Sequence, residues 1–137
     1  MRMNMVDMSI EYERDDKYDA TKVVQSKKRK HFETAGLDKV DRLKCVPGIG
    51  KAIMKKLKAK TITTKVDDLN NLMGSTSGLM HIFLQLQDPG ESFEFVQDEF
   101  YRFLTWKLDI SERQQIHQIV SAISNKVKQL QLWRTLS

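Results

Sequence analysis

Residues 46–51 read Val-Pro-Gly-Ile-Gly-Lys, a run that few kinds of structure accommodate. Its two glycines, Gly48 and Gly50, permit backbone conformations and a close approach of other groups that a Cβ would prevent. A lysine-rich segment with helical spacing follows, and the first turn of a helix offers N–H groups without acceptors and a partial positive charge. The run therefore predicts a tight turn that opens a helix and can hold an anion, such as a phosphate, without help from side chains.

Apolar residues on both sides of this turn recur at helical spacing. Those before it are Leu37, Val40, Leu43 and Val46, and those after it are Ala52, Ile53 and Leu57. Two helices joined by a short hairpin, a helix-hairpin-helix motif, explain this pattern; an ordinary glycine turn between core helices is the alternative. Residues 61–69 then predict a turn and the start of a third helix, capped at Thr64 or Lys65.

The chain carries 23 Lys and Arg against 18 Asp and Glu, which gives a formal net charge of +5. The excess lies mostly in residues 27–31 and 51–60, whereas residues 11–19 and 91–99 are acidic. A basic balance favours polyanionic partners, although it says nothing about the fold. Because the two basic blocks flank the first helix of the hairpin, they are expected to lie along one phosphate backbone, which makes nucleic acid the leading partner.

A chain of 137 residues with 40% hydrophobic residues matches one globular domain with its own core. The single cysteine, Cys45, excludes an internal disulfide, and the three histidines are scattered, so the sequence offers no metal-ligand spacing. The sequence shows neither a signal peptide nor an apolar stretch long enough to span a membrane. We therefore expect an intracellular chain with no metal, no cofactor and no membrane insertion.

Three parts are expected along the chain. Residues 1–26 hold few aliphatic residues able to build a core and are expected to be a mobile extension. Residues 27–131 are expected to form the DNA-binding domain, and residues 132–137 a C-terminal tail. The basic cluster at residues 27–30 matches a short nuclear-import signal as well as a DNA-contacting arm; a plain solvated run of charge is the alternative.

Downstream of the hairpin the pattern predicts only helices and turns. Residues 74–78 read as a flexible break, residues 79–86 as a short helix and residues 88–91 as a turn. An aromatic stripe then predicts a helix that faces the core or an interface; its members are Phe93, Val96, Phe100, Phe103 and Leu104. A last helix is expected to begin at Ser111, with Gln114 reaching back to the cap. The predicted fold class is all-α, a compact helical domain of five to six helices.

The order of these features resembles the barrier-to-autointegration factor family. The resemblance rests on Phe32, Pro47-Gly48-Ile49-Gly50, Phe83-Leu84, Leu86, Phe103-Leu104 and Arg113-Gln114. It covers residues 26–130, is strongest at the hairpin and from Phe83 onward, and marks a divergent relative with an N-terminal extension. The resemblance implies a small nuclear protein that binds double-stranded DNA without sequence preference, forms a homodimer, and so bridges two duplexes in chromatin.

The resemblance also implies which residues touch DNA. Backbone N–H groups of the hairpin, a basic residue before it and the start of the last helix would make the contacts. With the neighbouring lysines, the predicted DNA-binding residues are Lys28, Gly48, Ile49, Gly50, Lys51, Ala52, Ile53, Lys55, Lys56, Ser111, Glu112, Arg113 and Gln114. Ser26 matches a phosphorylated serine of the family, and a phosphate there would oppose DNA binding because it adds negative charge beside the basic cluster.

A dimer or partner surface is predicted at His81, Phe95, Phe103 and Trp106. Nuclear-envelope LEM-domain proteins are the partners that the resemblance implies for the groove of the dimer. This chain departs from the family there, because His81 stands where the family has a glycine.

Two other functions fit parts of the pattern. Helix-hairpin-helix modules accompany DNA-repair enzymes, and Asp67 and Asp68 are the acidic pair close to the hairpin; as first-turn residues of a helix, however, they are favoured by the dipole alone. No nucleophile, base and orienting group converge, so no enzymatic activity is expected. The other alternative is a protein-interaction module, in which Phe95, Trp106 and Trp133 would be exposed in the free monomer.

Overall fold

The computed structural model describes residues 16–63 and 72–133. Within these ranges six α-helices follow one another: α1 (Lys27–Thr34), α2 (Leu37–Val40), α3 (Lys51–Thr63), α4 (Thr76–Gln85), α5 (Phe93–Arg102) and α6 (Arg113–Gln129). Short 3₁₀ turns lie at Ala20–Lys22, Leu43–Cys45 and Leu72–Gly74, and α5 continues as a π-helical turn at Phe103–Lys107. Because the described residues contain no strand, the prediction of an all-α domain with five to six helices is confirmed.

Serine side chains fix where three of the helices begin. Each accepts a hydrogen bond from the N–H group three residues ahead, as N-cap residues do; the serines are Ser26, Ser75 and Ser92. Helix α6 begins differently, because Glu112 occupies its N-cap position without a side-chain hydrogen bond. The predicted cap by Ser111 and Gln114 is therefore wrong, and the amide of Gln114 instead donates to the carbonyl of Lys22 at 2.9 Å.

Helix α6 is the centre of the core and packs against α1, α4 and α5. The apolar periodicity assigns six residues to the core face: Ile116, Ile119, Val120, Ile123, Val127 and Leu130. The first five are buried, but the assignment of Leu130 is wrong, because this residue lies at the C-cap and is 37% exposed. Buried polar side chains of α6 also have partners on neighbouring helices, as two examples show. Ser124 accepts from Gln97 of α5 at 2.8 Å, and Lys126 donates to the carbonyl of Phe32 in α1 at 2.6 Å. Both apolar and polar contacts therefore fix the neighbours of α6.

The aromatic stripe of α5 belongs to the core. Its five members are all buried: Phe93, Val96, Phe100, Phe103 and Leu104. Phe83 of α4 meets Phe93 and Phe100 edge to face, with ring centroids 5.8 and 5.6 Å apart. Trp133 joins this cluster with its ring 5.1 Å from that of Phe93. Trp133, which the protein-interaction alternative expects to be exposed, is therefore partly buried, and the packed domain extends to this residue.

The helices around the hairpin differ in length from the prediction. Residues 37–46 form α2 and the 3₁₀ turn Leu43–Cys45 rather than one helix. Helix α3 runs through Thr63, beyond the turn expected from residue 61. Four residues named in the sequence predictions lie outside the described residues: Thr64, Lys65, Asp67 and Asp68.

The predicted break at residues 74–78 is instead the start of α4. The hydroxyl of Thr76 donates to the carbonyl of Val40 at 2.7 Å, and the N–H group of Ser77 donates to the carboxylate of Asp41 at 2.8 Å. These contacts tie α4 to the end of α2. They also explain why α2 is short, since its last carbonyl accepts from α4 instead of from a further helical turn.

Two other predictions are confirmed. The short helix expected over residues 79–86 lies within α4. The turn at residues 88–91 is closed by the N–H group of Glu91, which donates to the carbonyl of Asp88 at 3.1 Å, and Gly90 there has a φ of 87°. None of the helices in the described ranges combines the length and apolar character needed to cross a membrane.

Residues 16–26, called the N-terminal strap below, lie against α6. The N–H group of Asp19 donates to Nδ1 of His117 at 3.1 Å, and that of Val24 donates to the side-chain oxygen of Gln118 at 3.1 Å. The strap leads directly into α1, so the packed domain already includes the segment before its first helix.

The expectation of a mobile extension over residues 1–26 is therefore wrong for the strap, and residues 1–15 lie outside the described residues. The error has a physical cause. Polar side chains of α6 hold the strap through its backbone, so its own low hydrophobicity gives no sign that it is docked.

Candidate nucleic-acid interface

The turn that leads into α3 points its apolar side chains inward. Val46, Ile49 and Ile53 are buried in the core, with at most 2% of each exposed. The N–H group of Ile49 donates to the carbonyl of Val46 at 3.0 Å, which closes the turn. Because the side chains are anchored in the core, the turn presents mainly backbone to a ligand.

The two glycines of the turn serve different purposes. Gly48 has a φ of +94°, in the left-handed region, and a Cβ added there would lie 2.4 Å from the carbonyl oxygen of Gln115 in α6. The fold therefore demands glycine at this position. A Cβ added to Gly50 would meet no atom within 4 Å. Packing does not demand glycine there, and the space outside Gly50 is open to a ligand.

Helix α3 begins at this turn with free N–H groups. The carbonyl of Gly50 accepts the first helical hydrogen bond, from Met54 at 2.9 Å, which makes Gly50 the N-cap. The N–H groups of Lys51, Ala52 and Ile53 come before any acceptor in the helix, and no other described backbone group accepts from them. Three donors at the positive end of the helix dipole are therefore available to an anion.

Helix α6 begins beside the same turn, so two helix N-termini line one shallow groove of about 460 Å³. This hairpin groove is lined by Lys28, Gly48, Ile49, Gly50, Lys51, Ala52, Ile53, Glu112 and Gln115. Both helix dipoles favour negative charge at that end. Eight of the residues predicted to bind DNA, which come from three distant parts of the chain, thus meet in one place.

Charged side chains stand on both sides of the groove. Nζ of Lys28 donates to the carbonyl of Ile49 at 2.9 Å, and burial lowers the pKa of this lysine. Opposite it, Nζ of Lys56 lies 3.3 Å from the carboxylate of Glu112. A hydrogen bond from its own backbone, and then one from Lys56, hold the pKa of Glu112 below its ordinary value. The carboxylate of Glu112 is therefore ionised and balanced by Lys56, which leaves the groove with a net positive charge.

Lys55 lies outside the groove, on the outer face of α3. Together with Lys51 and Lys58 it borders a neighbouring shallow depression, and Arg42 and Lys44 border the next one beyond Lys58. The basic surface therefore continues from the hairpin groove along α3.

The residues at the start of α6 that were predicted to bind DNA do not all face the hairpin groove. Glu112 faces the hairpin groove, but the guanidinium of Arg113 lies 3.1 Å from the carboxylate of Asp16 in the strap. Gln114 donates to the carbonyl of Lys22, also in the strap. Successive residues of a helix point about 100° apart, so three neighbours cannot all face one ligand. Arg113 and Gln114 therefore hold the strap and not the groove.

The residues around the start of α1 have structural partners. Ser26 caps the helix by accepting from the N–H group of Arg29 at 3.0 Å. Arg29 belongs to the predicted basic cluster but is only 1% exposed, and it donates to the carbonyl of Gln118 at 2.9 Å. It is therefore part of the core, whereas the three lysines of the cluster are exposed. Ser111 is exposed just before α6.

Of the residues predicted for a partner surface, His81, Phe95 and Trp106 are exposed. Phe103 is 9% exposed and forms part of a shallow cleft of about 390 Å³ beside Trp106. The guanidinium of Arg102 lies 5.5 Å from the centre of the Trp106 ring, and its Nε is buried without a hydrogen-bond partner among the described residues. Two large aromatic side chains, Phe95 and Trp106, are thus each 47% exposed on this surface.

Sequence reasoning missed Gln115 and the strap. Gln115 follows Glu112 by three residues, a spacing that places both on one face of a helix, and this spacing could have revealed it. The sequence signal for the strap was a set of polar residues at helical spacing in the last helix. Gln114, His117 and Gln118 form one polar face of this helix beside its apolar face.

No protein-family model, curated protein or solved structure matches this chain. Its own geometry defines the kind of site. A shallow, net-positive groove with free backbone donors at the N-terminus of α3 suits an anion that approaches from outside, as a phosphate on a polymer does.

Proposed function

We propose that this chain is a non-catalytic protein that binds double-stranded DNA through its phosphate backbone, without sequence preference. The observation that carries the proposal is the open space at Gly50 beside the free N–H groups of α3. Backbone donors at a helix N-terminus recognise phosphate and carry no sequence information. The lysines along α3 extend the contact to neighbouring phosphates.

The resemblance to the barrier-to-autointegration factor family supports a role in the nucleus, in the bridging of duplexes and the organisation of chromatin. Bridging needs two DNA-binding surfaces on one particle, and a symmetric dimer supplies them. Two grooves that face outward on such a dimer would each hold a duplex, and the bivalent complex would be tighter than either contact alone.

The exposed face of α5 offers a surface for this dimer. Phe95, Glu99, Arg102 and Trp106 follow one another at spacings of four, three and four, which place them on one face of the helix. An antiparallel pair of α5 helices about a two-fold axis midway between Glu99 and Arg102 brings Phe95 opposite the partner's Trp106. The same axis brings Glu99 opposite the partner's Arg102.

The proposed binding mode predicts a steep dependence on salt. With about four to six phosphates neutralised per protomer, the slope of log K against log salt concentration is expected to be roughly −4 to −5. Fluorescence anisotropy of two unrelated duplexes of equal length, at salt concentrations from about 50 to 200 mM, measures it. A slope near zero, or a strong preference for one sequence, would contradict the proposal.

The proposed dimer predicts that reversing one charge on α5 weakens self-association and that a second, compensating reversal restores it. Glu99→Arg and Arg102→Glu each place like charges opposite one another, and each is expected to weaken self-association at least about tenfold. The double variant restores opposite charges and is expected to recover the dimer. Sedimentation equilibrium on the four proteins measures the effect.

Lys107→Glu is the matched control, because Lys107 borders the same cleft but lies outside the proposed pairing. It is expected to change self-association little. A double variant that is as weak as the single ones would refute this dimer, and an unmodified chain that stays monomeric at high concentration would refute bridging by any dimer.

A further inference from the structure

The strap is held on α6 by side chains that bind its backbone. His117 accepts from the N–H group of Asp19, and Gln118 accepts from that of Val24. The carbonyl of Lys22 accepts from both Gln114, at 2.9 Å, and Gln118, at 2.7 Å. Four hydrogen bonds from one helix face thus fix a segment that has little apolar surface of its own.

His117 is the buried member of this contact, with 4% of its surface exposed. Its ring stacks on Tyr101 of α5 at a centroid distance of 4.9 Å, and the ring of Tyr18 in the strap lies 6.1 Å away. The hydroxyl of Tyr101 donates to Asp16 of the strap at 2.7 Å. Because Nδ1 of His117 accepts a hydrogen bond from an N–H group, the imidazole in this arrangement is neutral.

We propose that the strap is a pH-sensitive latch, docked on α6 while His117 is neutral and released when Nδ1 of His117 gains a proton. The reason is geometric. A protonated Nδ1 carries a hydrogen that points at the N–H group of Asp19, so two donors face each other and the bond is lost. The inference concerns the strap alone and does not depend on DNA binding.

Charged groups on three elements surround this ring. They are Asp16, Lys17, Asp19 and Lys22 of the strap, Arg113 of α6 and, next to Tyr18, Arg29 of α1. Burial is the main cause that lowers the pKa of His117, and Lys22 and Arg113 act in the same direction. Asp19 and Asp16 raise the pKa of His117, but the carboxylate of Asp19 already accepts hydrogen bonds from the backbone N–H group and the hydroxyl of Thr21.

The direction of the pH effect follows from this lowered pKa. In the released strap His117 titrates near its ordinary value of about 6.5, whereas docking lowers that value. The contribution of His117 to docking is therefore complete above about pH 6.5 and is lost as the pH falls below it. At pH 5.5 the docking equilibrium is expected to be weaker by up to about tenfold.

The test uses the full chain labelled with ¹⁵N. Amide hydrogen exchange, corrected for the intrinsic effect of pH, is measured at pH 7.5 and 5.5. The protection of the Asp19 and Val24 amides is expected to fall by up to about tenfold, while core amides such as those of Phe100 and Ile123 keep theirs. Unchanged protection of the two strap amides would overturn the proposal.

His117→Gln provides the decisive variant, because glutamine keeps an acceptor and does not titrate. Its strap protection is expected to be the same at both pH values, whereas His81→Gln, at an exposed histidine, is expected to keep the pH dependence. A pH dependence that survives in His117→Gln would assign the effect to another group and overturn the proposal. An NMR titration of His117 in the unmodified chain gives a second test, which a pKa at or above 6.5 would fail.

Discussion

Gly48→Ala is expected to lower the free energy of unfolding by about 3–5 kcal/mol, and the midpoint of thermal unfolding by about 10–20 °C. Two effects add at this position. A side chain disfavours the backbone conformation at φ +94°, and the new methyl group would lie 2.4 Å from the carbonyl of Gln115. Chemical and thermal denaturation followed by circular dichroism measure both quantities.

Alanine substitutions at two other glycines of the chain distinguish the effect of the backbone conformation from that of the steric contact. Gly90 also has a positive φ, 87°, but open space around an added Cβ, so Gly90→Ala is expected to cost only about 1–2 kcal/mol. Gly50 has neither constraint, and Gly50→Ala is expected to cost less than about 1 kcal/mol, as a change of N-cap residue. Equal losses at all three positions would contradict the packing of the turn against α6.

Gly50→Glu is expected to weaken binding to duplex DNA roughly ten- to hundredfold at 0.1 M salt, with the fold intact. The side chain enters open space, and its carboxylate occupies the place proposed for a phosphate, next to the free N–H groups of α3. The slope against salt is expected to become shallower by about 0.9 for each phosphate contact that is lost. Anisotropy titrations across a salt series measure both changes.

Gly90→Glu is the matched control, since it makes the same change of charge at another glycine with open space around it, and Gly90 borders neither the hairpin groove nor the basic depressions along α3. It is expected to retain most of the binding. Equal losses in the two variants would mean that overall charge governs affinity, and no loss in Gly50→Glu would remove the hairpin groove from the site. Substitutions at Gly48 do not answer this question, because they are expected to destabilise the fold itself.

The predictions of helices, turns and apolar faces that depend on residues close together in the sequence agree with the structure. The glycine turn, the helix that follows it, the stripe of α5 and the apolar face of α6 all depend on residues within a few positions of one another. Their spacing decides which face of a helix is apolar, whatever the rest of the chain does. For the same reason, the part of the groove made by the turn itself was predictable.

Predictions that involve distant polar contacts fail in this chain. No sequence pattern singles out Lys126, yet it is 2% exposed and donates to the carbonyls of Phe32 and Ala35 at 2.6 and 2.8 Å. Arg29 reads as part of a basic arm and is instead buried. A buried charge is tolerated only where partners satisfy it, and those partners come from other helices. Residue type and spacing do not reveal them.

The amino-acid sequence by itself determined the all-helical class, the turn at Gly48 and Gly50, and the free N–H groups at the start of α3, because each follows from local backbone and side-chain preferences. Only the tertiary structure decided that α6 begins beside this turn, that Glu112 shares the groove while Arg113 faces the strap, and that the strap is docked at all. The physical reason is that these contacts join residues far apart in the chain. Their free energy depends on how whole helices pack, and no local pattern encodes that packing.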